Sequence, residues 1–165
     1  MKGDKKMARE EYILDANGEG AVRILPGSWR NFRGVKSQFN ANGNIYFNVA
    51  INDKNLVEML TNRGFNVKEY QNKNRPDEDP SYILKISVRF NEYGPKVTQY
   101  IQGNPNGISL DQDSIGALDE MDILDCAIKI RPYDWTSPNG KGTAAYLTEL
   151  AVLIPENRFA ERFQD

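Results

Sequence analysis

The chain has 165 residues, 39% of them apolar, with a formal net charge of −2, one cysteine and no histidine. That length suits a single domain with its own core. The absence of histidine removes the commonest general base and metal ligand, and the lone Cys126 excludes an internal disulfide.

Residues 1–20, MKGDKKMAREEYILDANGEG, mix both charge signs and read as a flexible N-terminal arm that becomes ordered near Tyr12 to Leu14, ahead of one domain over 21–165. No cationic start followed by an apolar run marks secretion, and no stretch of about 18 apolar residues could cross a bilayer. A cytoplasmic protein without a membrane partner is therefore expected. Residues 21–25 have strand character up to Pro26-Gly27, after which the chain resumes as SWRNFRG and stops at Gly34. Residues 44–51 alternate, with Ile45, Phe47, Val49 and Ile51 on one face and Tyr46, Asn48 and Ala50 on the other, which predicts a half-buried strand. The tight-turn pair Asn42-Gly43 before it predicts a hairpin with the basic segment upstream.

Over 55–63 the apolar spacing predicts a helix, with Asp53 or Asn52 as N-cap and Gly64 as its left-handed stop. A strand is expected over 65–70, followed by an exposed loop, QNKNRPDEDP. Residues 82–90 alternate again, Lys85, Ser87 and Arg89 lying on the polar face that Ile83 interrupts. Residues 95–102 read as a strand joined to it by a turn at 91–94, and 111–118 as a short helix with Ile115 and Leu118 inward. Over 126–135 the even positions Cys126, Ile128 and Ile130 are apolar, whereas Lys129, Arg131, Tyr133 and Trp135 share the other face. The turn SPNGKG then leads into a last strand over 144–154. Six or more strands, two short helices and no βαβ alternation predict a mainly β fold. The expected form is a five-stranded OB-type Greek-key barrel with extra hairpins and one or two short helices; a small β-sandwich is the alternative.

Charge is unevenly placed. Residues 20–52 contain no acid but carry Arg23, Arg30, Arg33 and Lys36, interleaved with Trp29, Phe32 and Phe39. Cations for phosphates and π-faces for unpaired bases are what a single strand requires. The competing reading makes Trp29 and Phe32 core residues and the arginines a solvated face. IKIRPYDWTSPNGKG is the second such segment, with Lys129, Arg131, Tyr133, Trp135 and Lys141; its competing reading packs Tyr133 and Trp135 together under a loop. Between Leu110 and Asp125 lie six acids and no Lys or Arg, at a spacing that matches no calcium loop or two-metal site. That stretch reads as a solvated face, Cys126 as a small core residue, and no metal, cofactor or enzymatic activity is expected. The nucleic-acid-binding candidates are thus Trp29, Arg30, Phe32, Arg33, Lys36, Tyr46, Lys129, Arg131, Tyr133, Trp135 and Lys141. A protein-interaction module using the same aromatic patches is the main alternative, and a carboxylate-dependent nuclease a further one.

The succession RNFRG, GFNVK, LDEMDILD, IRPYDW, NGKG and AYLTELAVLI, spanning 22–163, resembles a family of small single-stranded DNA-binding proteins of bacteriophages and mobile elements. The resemblance implies an OB-type fold serving replication or recombination. Single-stranded DNA is the expected partner, with replication or recombination proteins and a homo-oligomeric state as further candidates, in the cytoplasm of the host cell if the chain is phage-encoded. Bacterial proteins of this function usually end in an acidic tail tipped by phenylalanine; residues 156–165 read ENRFAERFQD, a departure from that pattern, so recruitment of host replication enzymes through such a tail does not follow from the resemblance.

Overall fold

A computed structural model describes residues 10–14 and 21–156. Most of the expected N-terminal arm and the last nine positions lie outside these residues. In chain order the strands are β1 (Tyr12–Leu14), β2 (Val22–Ile24), β3 (Arg30–Asn31), β4 (Ile45–Ile51), β5 (Lys68–Tyr70), β6 (Ser81–Val88), β7 (Lys96–Ile101), β8 (Ile108–Leu110), β9 (Asp125–Ser137) and β10 (Gly140–Ile154). The helix α1 (Lys54–Arg63) separates β4 from β5, and 3-10 turns occupy Gly27–Trp29 and Ile115–Glu120.

The alternating strands fold as their sequences dictate. Phe47, Val49 and Ile51 of β4 meet Leu84, Ile86 and Val88 of β6 and Ile128 and Ile130 of β9 in one core. Helix α1 begins where Asp53 accepts the backbone N–H groups of Asn55 and Leu56, and ends at Gly64, whose φ of 113° suits a residue without a Cβ. The mainly β expectation holds. All ten described strands join one sheet, with a main path β1-β9-β10-β6-β4-β2 that does not close through backbone pairing. Near its free end the Cys126 thiol on β9 donates to the Val22 carbonyl on β2 at 3.7 Å, so a side-chain contact spans the gap where a ladder would be.

Two features of the topology escape sequence periodicity. The turn at 91–94 forms, but β7 does not return beside β6; it runs parallel to the second half of β10 and antiparallel to β8. β10 is long enough to pair with β6 through Ala145 and Tyr146 and with β7 from Glu149 to Ile154. Between these halves its register on β9 slips at Thr148, whose hydroxyl donates to the Lys129 carbonyl at 3.0 Å. The bulge absorbs one residue, so Ala145 and Leu147 before it and Leu150 and Val152 after it all face inward.

Candidate nucleic-acid interface

The face of the sheet opposite the core is built from the polar positions of β4, β6, β9 and β10. Registers align Tyr46 with Ser87, Ser87 with Tyr146, and Tyr146 with Arg131, so three strands supply rings and cations along one line. The Lys85 ammonium lies 4.6 Å from the centre of the Tyr46 ring, and the Arg89 guanidinium 5.8 Å from that of Tyr146. Tyr133 meets Tyr146 edge to face at 5.8 Å. A small cleft of about 80 Å³ opens between Tyr46, Lys85, Arg89 and Tyr146.

Lys85 and Ser87 also line a much larger groove of about 800 Å³. It is lined by Trp29 and Tyr70, packed edge to face at 6.1 Å, and by Trp135 and Lys141 of the β9–β10 hairpin. Trp29 and Trp135 remain 37% and 42% exposed, and the Trp29 carbonyl is held by the Asn48 side-chain amide at 2.9 Å. Ile83, which interrupts the polar face of β6, also lines the groove and packs with Leu25 and Ala50. Lys68, Lys85 and Lys141 line this groove, with Glu69 the carboxylate among its described lining residues.

The Trp135 indole lies close against Gly142 on the neighbouring strand. A Cβ built on Gly142 would fall 2.7 Å from the indole Cζ2, so only glycine leaves room for the ring there. At the adjacent rung Asp134 pairs with Thr143, and both meet Arg63 at the end of α1. Arg63 and Thr143 hold the Asp134 carboxyl down to about 2.

Of the sequence candidates, Trp29, Trp135 and Lys141 share the groove, and Tyr46, Arg131 and Tyr133 belong to the outer face continuing from it. Arg30 and Phe32 are corrections. Phe32 is fully buried and stacks on Phe47 with ring centres 5.0 Å apart, so it offers no face to a base. Arg30 is 8% exposed, and its guanidinium donates to the carbonyls of Leu25, Leu118 and Met121, which leaves it no reach to phosphate. Burial lowers its pKa, opposed by Asp119 and Asp122. Arg33 stays exposed but is paired with Glu120 at 2.8 Å, and Lys129 sits 3.8 Å from Glu149. Lys36 and the fully exposed Phe39 lie on the loop between β3 and β4, outside the lining of both depressions.

The acidic stretch is more than a solvated face. Asp119 accepts the backbone N–H groups of Phe32 and Arg33 at 2.7 and 3.0 Å, and so clamps the basic segment to the 3-10 turn. Among the described residues no three His, Cys, Asp or Glu side chains cluster in a way that could hold a metal ion, and no helix is long and apolar enough to cross a membrane. Sequence reasoning missed Lys68, Tyr70, Lys85, Arg89 and Tyr146 as candidates. The alternation over residues 82–90 already set Lys85 and Arg89 on the face opposite the core, but only the fold brings them to Tyr46 and Tyr146.

No curated protein matches the sequence at a significant level. Among solved structures, the C-terminally truncated single-stranded DNA-binding protein of bacteriophage Enc34 aligns at 9% identity with a TM-score of 0.48, covering 84% of this chain and 88% of that one. The same phage protein in complex with ssDNA aligns at 11% identity and 0.45, covering 84% and 89%. For gp2.5, the single-stranded DNA-binding protein encoded by bacteriophage T7, the values are 10% and 0.45, with 96% and 99% covered. Likeness at this level assigns no residue. The sequence itself matches the family described as "Putative phage ssDNA-binding domain" over residues 4–165, and the chain belongs to that family.

Proposed function

We propose that the chain binds single-stranded DNA with little base preference along the outer face of its sheet, protecting it during phage-type replication or recombination in the host cytoplasm. The observation that carries this reading is that Trp29 and Trp135 line one groove together with Lys68, Lys85 and Lys141. Unpaired bases present the π-faces such rings need, and every base has one, so stacking attracts without selecting. Each stacked base contributes roughly 1 to 3 kcal/mol, and lysines beside the rings neutralise the phosphates between them. A duplex hides its base faces and gains only the charge term.

A mobility-shift series with single-stranded DNA, duplex DNA and RNA of one length tests the proposal. Single-stranded DNA is expected to bind most tightly, and the W29A/W135A double variant to lose most of that affinity. A folded double variant with the wild-type affinity would dismiss both rings as platforms.

A further inference from the structure

We propose that Arg63 is a positioning residue for DNA binding: by gripping Asp134 it fixes the β9–β10 hairpin against the end of α1 and so sets Trp135 and Lys141 at the groove. The inference rests on the functional reading above.

The hairpin needs a support of this kind. Residues 133–141 are all exposed, and a two-stranded ribbon without a packed face is marginally stable in water. Arg63 supplies an attachment across elements. Its Nη1 and Nη2 donate to the two carboxylate oxygens of Asp134 at 2.9 and 3.0 Å, a parallel pair that fixes orientation as well as distance. Its Nε and Nη2 also donate to Glu10 at 2.6 and 3.1 Å, which ties in the segment leading to β1. The Thr143 hydroxyl donates to Asp134 at 2.8 Å from the facing strand. Strand alternation sends Asp134 to the face opposite Tyr133 and Trp135, and the Asp134–Thr143 rung directly precedes the Trp135–Gly142 rung. Holding the first rung therefore sets the twist of the second. The end of α1 is itself seated there: Phe65 bridges Thr143, and a Cβ on Gly64 would stand 2.8 Å from the Thr143 hydroxyl. Only a guanidinium fork can serve both carboxylates in this geometry.

Anisotropy of a fluorescein-labelled oligothymidylate titrated with the full chain tests the role. R63A and D134N are each expected to weaken binding by about tenfold. The sign for D134N is the discriminating result: it removes a negative charge beside the groove and would tighten binding if charge alone mattered. In a W135A background the same substitutions should change affinity by less than about threefold, because only Lys141 is then left for them to position. Unchanged or tighter binding by D134N, or losses that add in full to that of W135A, would overturn the positioning role; D134N decides the matter if R63A fails to fold. Wild-type protein that leaves the oligonucleotide free overturns the functional reading and this inference together. Wild-type binding that W135A weakens and D134N does not removes the inference alone.

Discussion

Arg30 and Phe32 stand in the same short segment as Trp29 and Arg33, yet the fold separates them by what each can reach. The Phe32 ring is enclosed against Phe47, so F32A should cost about 3 to 5 kcal/mol in urea unfolding while the folded fraction keeps its affinity for DNA. R30A strips donors from three carbonyls and should destabilise by about 1 to 3 kcal/mol. A stable R30A protein that no longer binds would return Arg30 to the interface. Asp134 makes a different prediction, read through pH. Its carboxyl is held at about 2 against an ordinary 3.8, so the pair with Arg63 contributes to stability in full above the ordinary value and is lost as pH falls through the lower one. Glu10 is shifted the same way by Arg63 and Tyr12. The emission of Trp135 in a W29F variant should therefore hold steady from pH 8 to about 5 and change as the solution is acidified through the interval below about 4. A transition centred near pH 6 would contradict the assignment, since the chain has no histidine to produce one.

At the scale of the element, the β9–β10 hairpin concentrates the testable geometry. Gly142 does not have a positive φ, so alanine is permitted by its backbone, but the added methyl would meet the Trp135 indole at 2.7 Å. G142A should displace the ring and weaken DNA binding severalfold, with thermal unfolding little changed; binding equal to wild type would show that the ring's seat on the strand is not used. This hairpin was legible in the sequence, as were β4 and α1, because each is specified locally: alternation over seven or more residues, a turn signal, or a cap at both ends. β7 was legible as a strand but not as the partner of β10, since pairing depends on register between segments about fifty residues apart, and the bulge at Thr148 that lets β10 serve two partners leaves no periodic trace beyond a change of parity. Arg30 failed for the same reason. Its acceptors at Leu118 and Met121 lie 88 and 91 residues away, and nothing near Arg30 distinguishes a buried guanidinium from an exposed one.

For the whole molecule, the net charge of −2 conceals a sorting that the fold completes. In the basic segment Arg33 is paired with Glu120 of the acidic stretch, and Asp119 accepts the neighbouring backbone N–H groups; on β9, Lys129 is paired with Glu149. On the proposed reading the cations offered to phosphates are a different set, on the outer face: Lys68, Lys85 and Lys141 in the groove, Arg89 and Arg131 beside Tyr146. Counterion release turns this division into a measurable number. For single strands the logarithm of the binding constant falls against the logarithm of salt concentration with a slope of about −0.7 per phosphate neutralised, so engagement of three to all five of these cations predicts a slope between about −2 and −3.5. K85A should reduce its magnitude by about 0.7, whereas K36A, on the loop outside the groove, should leave it unchanged. If K36A flattened the slope and K85A did not, the DNA would follow the β3–β4 loop instead of the sheet, and a wild-type slope near zero would leave the lysines no part in binding. The cross-strand alignment of Tyr46, Ser87, Tyr146 and Arg131 on the outer face favours the loss of slope in K85A, because rings and cations then follow one another across the sheet.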